Sequence, residues 1–298
     1  MPRTVVTGSA GFVGRALMAR LGPDPSTLAM GRPDWREKLA EAPLEGAVVY
    51  HLAARVHHDD RGDEASFMAD NAEKTRLLAE AAARKRARRF VFLSSIKVHG
   101  EETRADPFRA NDAPAPEDAY ARSKLAAEQA LAQVAAATNL EVTVVRAPLV
   151  YGPSAGGNLR ALLAIADGAW PLPLAAIRNR RSFVHVDDLA RLLAECGAHP
   201  QAPGRTYLAA HARSVSTPSL VAEMRRALRR PARLFSFPTP LLELAGMLSG
   251  QAHRIRRLTR SLEVDPSAAE LDLGWVARIS MEQAVEEMAL AFRREESP

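Results

Sequence analysis

The 298-residue chain has one cysteine, Cys196, so no internal disulfide framework holds it together and a cytoplasmic, reducing setting is expected. Cys196 sits in an apolar helical run and reads as a small buried residue. No apolar stretch approaches the roughly 20 residues of a membrane span. Met1-Pro2-Arg3 leads directly into a strand-like run, so neither a signal peptide nor a membrane partner is expected. Aromatic residues are only 5% of the chain. The net charge of +5 gathers in clusters at Arg84 to Arg89, Arg225 to Arg230 and Arg254 to Arg260, with no aromatics interleaved. A base-stacking nucleic-acid surface is therefore excluded, and solvated faces plus one or two arginines for a phosphorylated small molecule account for the excess. His57, His58, Asp59 and Asp60 are consecutive, which points their side chains apart, and no distant ligand set completes them, so no metal is expected.

What the chain does have is a run of strand–helix units. "RTVVT" at residues 3 to 7 reads as a buried strand entering "TGSAGFVG", with Gly8, Gly11 and Gly14 in the turn. Phe12, Val13, Ala16, Leu17 and Leu21 then recur at helical spacing. In that setting the first glycine permits a tight turn and the second lets backbone approach a diphosphate. The third lets helix pack on strand. A second strand, about Thr27 to Met30, ends at Gly31-Arg32 with no carboxylate. An arginine there accommodates a 2′-phosphate, which favours NADP over NAD. Further strands are expected at 47 to 54, 89 to 95 and 141 to 147, and helices at about 65 to 86 and 119 to 137. Asn71 lies inside the first of these helices, where it can reach a loop near the cofactor.

Ser94 and Ser95 close the strand at 89 to 95, where polar groups line the ligand crevice of a parallel sheet. The loop 98 to 118 is expected to cover part of the site. Beyond residue 151 the alternation breaks down. A short strand near Phe183, a helix from about Asp187, a strand at 206 to 210, helices near 217 to 230, 238 to 249 and 280 to 294, and a short strand in "PARLFSFP" are expected. The fold class that follows is α/β, a Rossmann-type doubly wound parallel sheet with a smaller α+β lobe. The dinucleotide-binding domain covers residues 1–151 with a return segment near 184–210, and the substrate lobe covers mainly 152–298.

"DAYARSKLAAEQ" carries the chemistry. Tyr120 and Lys124 are four apart on a helix and share a face. With 4 tyrosines and 5 lysines in the chain, chance supplies only roughly 0.07 such pairs. A neighbouring ammonium favours the phenolate, so the Tyr120 hydroxyl is expected to fall from about 10 toward neutrality and to act as an acid/base.

Taken in order, "TGSAGFVG", "HLAA", Asn71, "LSSIKVHG", "YARSK" and "RAPLVYGP" resemble the extended short-chain dehydrogenase/reductase family, the NAD-dependent epimerase/dehydratase group. The pattern is similar to its UDP-glucose 4-epimerase-like branch, with "LSSIKVHG", "GNLRALLAIADGAWPLPL" and "NRRSFVHVDDLA" most like UDP-N-acetylquinovosamine-type 4-keto reductases of bacterial surface-polysaccharide synthesis. The resemblance implies an acid/base role for Tyr120, with Lys124 as its electrostatic partner on the nicotinamide ribose and Ser95 on the reacting sugar oxygen. It implies that Gly8, Gly11, Phe12, Val13 and Gly14 cradle the dinucleotide, with Leu52, Ala53 and Ala54 along its adenosine side and Pro148 beside the nicotinamide. Asn158 and Arg181 would hold the diphosphate of a nucleotide sugar, with one of Arg254, Arg256 and Arg257 adding a second phosphate contact. A homodimer through the helices at 65 to 86 and 119 to 137 is implied as well.

Three positions depart from that pattern. Ile96 and Lys97 stand where 4,6-dehydratases carry an Asp-Glu pair, which argues against water elimination. His99 replaces a common tyrosine, and Leu149 a common asparagine. The expected reaction is hydride transfer at C4 of a nucleotide sugar, as a 4-keto reductase or 4-epimerase. The rivals are a reductase of a non-sugar carbonyl, which would need no diphosphate clamp, and a non-catalytic dinucleotide sensor, which would need no Ser-Tyr-Lys set.

Overall fold

A computed structural model describes residues 3–56 and 63–296. His57, His58, Asp59 and Asp60 lie outside the described residues. The first half alternates strand and helix: β1 (Thr4–Thr7), α1 (Phe12–Leu21), β2 (Ser26–Leu28), α2 (Trp35–Glu41), β3 (Val48–His51), α3 (Glu64–Phe67), a π-helical turn (Met68–Glu73), α4 (Lys74–Arg84), β4 (Arg89–Ser95), α5 (Ala119–Ala137) and β5 (Glu141–Ala147). The second half contains β6 (Leu149–Tyr151), α6 (Gly157–Asp167), β7 (Phe183–His185), α7 (Val186–Ala198), β8 (Thr206–Leu208), α8 (Thr217–Ala227), α9 (Thr239–Leu248), α10 (Ala252–Thr259), α11 (Ser267–Leu273) and α12 (Met281–Glu296).

Six strands form one parallel sheet in the order β2-β1-β3-β4-β5-β8. The centres of its longer strands are apolar, as in Phe90 to Leu93, because helices cover both faces. Alternate residues still part company: Val5, Val49, Phe90 and Phe92 face α4 and α5, whereas Val6, Val48, Val91 and Val145 face α1 and α7. β6 and β7 pair in parallel apart from this sheet. Tyr151, Leu163, Met224, Met288 and Phe292 belong to a separate core built by α6, α8 and α12. The chain thus leaves the sheet after β5 and re-enters it as α7, packed on α1, and β8.

Several local expectations need correction. The helix expected over 65 to 86 runs from Glu64 to Arg84 without leaving helical backbone, but it contains a π turn at Met68–Glu73, inside which Asn71 is buried. β2 stops at Leu28, short of Met30. "PARLFSFP" forms only an isolated pairing of Leu234 with Leu172. Helices α2, α6, α10 and α11 were not expected. α10 hid because none of its residues is fully buried and only Ile255 and Leu258 are large and apolar, so its core stripe is short.

Candidate active site

The carboxyl ends of β1, β2 and β3 open into a cleft of about 520 Å³ lined by Gly8, Gly11, Gly31, Leu52, Ala53 and Ala54, among others. Gly8 has φ +70°, and a Cβ there would lie 2.6 Å from the Ala53 nitrogen. A Cβ on Gly14 would lie 2.0 Å from the Gly8 carbonyl oxygen, so the turn and α1 can approach only as glycines. Gly11 caps α1 without a side chain, and no acidic residue occupies the first turn, which leaves free N–H groups and a positive helix end toward the cleft. A cradle that any side chain would fill, facing a helix N-terminus, fits a dinucleotide. Phe12, Val13 and Gly14 do not line the cleft; Val13 packs against the core under α1.

Arg32 also lies outside the lining, although Gly31 belongs to it. Charged groups that the sequence did not single out stand at this end. Asp70 pairs with Arg55 at 2.6 Å and with Lys74 at 2.7 Å, and Lys74 donates to the Met30 carbonyl at 3.0 Å. No motif marks these residues; only the fold of the π turn brings them to the cleft. Asn71 holds the floor in place. Its Oδ1 accepts from the Arg55 N–H at 2.7 Å, and its Nδ2 donates to the Ser123 hydroxyl at 2.9 Å. Beneath, His51 bonds Thr7 through Nδ1 at 2.6 Å and Thr75 through Nε2 at 2.8 Å, and burial drops it to about 3, so it stays neutral.

A second cavity, of about 330 Å³, lies between the sheet ends and the C-terminal lobe. Ser95, Tyr120, Pro148, Asn158, Arg181 and Arg257 all line it. The Ser95 hydroxyl hydrogen-bonds the phenolic oxygen of Tyr120. Asp118 makes this meeting possible. Its carboxylate caps α5 at the Ala121 N–H and pairs with Lys97 at 2.6 Å, which ties the turn after Ser95 to the start of the helix. Lys97 also pairs with Glu101, and both line the cavity. The loop after residue 98 therefore contributes a wall, as expected.

The electrostatics of the pair differ from the expectation. Burial pushes the Tyr120 hydroxyl up to about 12, with the Ser95 hydrogen bond pulling the other way. Lys124 supplies no counterweight. It is 2% exposed, does not line the cavity, and donates to the Leu93 carbonyl at 2.6 Å with its nitrogen 4.0 Å above the Phe92 ring centre. Burial brings that ammonium down to about 7, opposed by Glu128. Residues four apart on a helix share a face, but here the hydroxyl lines the cavity and the ammonium turns to the Leu93 carbonyl.

Of the three candidate phosphate arginines, only Arg257 lines the cavity; Arg254 and Arg256 are exposed on the outer side of α10. Arg181 is near enough to Arg257 and Glu101 to feel both charges. Its backbone is fixed by reciprocal hydrogen bonds with Val215. The first turn of α6, which has no side-chain cap, brings Asn158 to the same wall. Leu149 lines the cavity too. His99 does not. It is buried against Phe108 and bonds Arg146 at 2.7 Å, and burial with that guanidinium lowers it to about 4. Cys196 is fully buried and its thiol is pushed up by burial. Among the described residues no group of three or more His, Cys, Asp or Glu could hold a metal ion.

A family model described as the NAD dependent epimerase/dehydratase family matches residues 4–210, the whole of the sheet and the return through β8. The chain belongs to that family. It is 34% identical to a UDP-glucose 4-epimerase of Vibrio cholerae over 98% of this chain and 96% of that one. It is 30% identical to a probable dTDP-4,6-dihydroxy-2-methyloxan-3-one 4-ketoreductase of Streptomyces antibioticus, over 76% of this chain and 77% of that one. Among solved structures, a UDP-N-acetylglucosamine 4-epimerase of Bacillus cereus superposes with a TM-score of 0.79 at 21% identity, covering 98% of this chain and 97% of that one. An RMD structure from Pseudomonas aeruginosa complexed with NADPH gives 0.77 at 21% identity, over 99% and 100%. These two establish a shared fold. The family is one of NAD-dependent epimerases, dehydratases and reductases related to nucleotide sugars.

Proposed function

We propose that the protein transfers hydride at C4 of a nucleotide-diphosphate sugar, with 4-epimerisation as the net reaction. The observation that carries this reading is the placement of the hydrogen-bonded Ser95–Tyr120 pair and the Arg181–Arg257 pair in one cavity. Two hydroxyls can hold a reacting C4 oxygen, and two guanidiniums suit a diphosphate. A bound nicotinamide dinucleotide would supply the hydride chemistry, held at Gly8, Gly11 and the Leu52–Ala54 segment.

Tyr120 moves the proton at the C4 oxygen, and Ser95 orients that oxygen and shares its charge. The buried hydroxyl, high in pKa when alone, gives a firmly protonated donor for a ketone oxygen. Lys124 must turn from the Leu93 carbonyl toward the phenol to serve the reverse, oxidising step. With Ile96 and Lys97 after Ser95, no carboxylate pair stands ready for 4,6-elimination. Glu101 is held by Lys97. A 4-keto reductase is the second reading, favoured by the Streptomyces relative. The expected homodimer would use α4 and α5, which lie side by side over one sheet face.

The test is incubation of the purified protein with UDP-glucose and NAD, followed by NMR of the sugar. Appearance of the C4 epimer supports the first reading. Turnover only of 4-keto sugars with net NAD(P)H consumption supports the second. Activity confined to ketones lacking a diphosphate overturns both.

A further inference from the structure

Of the thirteen exposed large hydrophobic residues among the described ones, six cluster in two stretches: Trp170, and Phe235 through Leu248. Leu241, Leu244, Met247 and Leu248 are 51%, 50%, 64% and 82% exposed and recur every three to four residues along α9. The other side of that helix is committed. Leu242 joins the lobe core, and Gly246 is buried so closely against α10 that a Cβ would lie 2.6 Å from the Ile255 side chain. The apolar stripe is therefore fixed facing outward.

Its border is cationic. α10 exposes His253, Arg254 and Arg256 on one side while Arg257 and Leu258 line the cavity on the other. The single acid of α9, Glu243, is taken up by Arg260 at 3.1 Å and Thr259 at 2.9 Å. Trp170, 81% exposed, is held firmly: the buried Arg225 guanidinium donates to its carbonyl at 2.7 Å and to the Ala232 carbonyl at 3.0 Å. Two residues on, the Leu172 carbonyl accepts from the Phe235 N–H at 3.0 Å, and Phe235 is also exposed.

We propose that the α9–α10 face, with Trp170 and Phe235, docks the protein on anionic lipid bilayers. An outward apolar stripe, arginines on the helix packed against it, and an exposed tryptophan two residues from the pairing that leads into it form the pattern of a helix that lies in a bilayer interface. A second copy of the chain is the rival occupant, and the test below separates it from a bilayer. No helix among the described residues is long and apolar enough to cross a membrane, and docking of this kind requires none.

Trp170 makes the test direct, since Trp35 and Trp275 are only 9% and 1% exposed. The full-length protein is mixed with vesicles of phosphatidylglycerol and phosphatidylethanolamine, or of phosphatidylcholine alone. The expected result is co-flotation and a blue shift of emission with the anionic vesicles, weakened by 0.5 M salt as a roughly 4 Å Debye length implies. Leu244→Asp/Leu248→Asp should abolish both at unchanged circular dichroism. Absence of flotation with anionic vesicles, or flotation that survives the double substitution, overturns the proposal. So does a protein that ignores vesicles but changes from dimer to monomer in the double variant, which assigns the face to a second copy.

Discussion

The ammonium of Lys124 donates to the carbonyl of Leu93, inside the sheet, although the residue stands one helical turn from Tyr120. This geometry separates two jobs that sequence spacing assigns to one pair. Tyr120 lines the second cavity together with Ser95, while Lys124 is buried away from it.

Tyr120→Phe is expected to lower turnover by roughly two decades or more and to leave NAD(P) affinity nearly unchanged. Single-turnover kinetics with a fluorescence titration of the cofactor measure both. Unaltered turnover would remove the hydroxyl from the chemistry.

Burial brings the Lys124 ammonium down to about 7 in the fold from its ordinary value of 10.5. Between those values the unfolded chain binds more protons than the folded one, so stability attributable to this group rises with pH and its penalty is fullest below about 7. Lys124→Met should flatten that rise. Urea melts of the cofactor-free protein at pH 7 and pH 9.5 check it, and parallel slopes for both proteins would contradict it.

Arg181→Ala and Arg257→Ala are each expected to raise KM for a nucleotide-diphosphate sugar by about ten- to a hundredfold, the worth of a charge-assisted hydrogen bond. Their effects should be unequal to the sum in the double variant if one diphosphate bridges them. Full additivity would place the two guanidiniums on separate groups.

Arg32→Ala should weaken NADPH more than NADH if Arg32 reaches a 2′-phosphate. Its position outside the cleft lining makes Lys74→Ala the informative companion, since Lys74 borders the cleft directly. Direct Kd measurements for both dinucleotides on both variants decide which cation does the reading. Equal losses of the two cofactors in Arg32→Ala would exclude it.

Glu128 and Arg146 form a buried ion pair at 2.6 Å, and Ser94 bonds the same carboxylate. Glu128→Ala leaves the guanidinium buried without its partner, at a cost of about 3–5 kcal/mol. Chemical denaturation reads this loss. A change within 1 kcal/mol would mean that His99 and water satisfy Arg146 unaided.

The strands β4 and β5 and the helix α5 were legible to the residue. A buried parallel strand is written as an unbroken β-branched and apolar run, and α5 begins after Asp118 with a long stretch of good helix formers. The glycine turn was legible for a similar local reason. Arg257 could be separated from Arg254 and Arg256 only once α10 was placed against the cavity. The behaviour of Tyr120 was misread because spacing reports which side chains are neighbours and says nothing of how dry their surroundings are. Desolvation outweighs the expected charge effect there. The Asp70–Arg55–Lys74 group escaped notice because it is assembled by the π turn, which shifts register within an otherwise ordinary helical sequence.

The re-entry of the polypeptide as α7 and β8 bears on how portable this coenzyme unit can be. A fragment ending at Tyr151 would leave Val6, Val48, Val91 and Val145 with only α1 for cover and would bare the hydrogen-bonding edge of β5. Such a piece is expected to aggregate rather than to bind coenzyme. Grafts and truncations of this scaffold therefore have to carry the later stretch along.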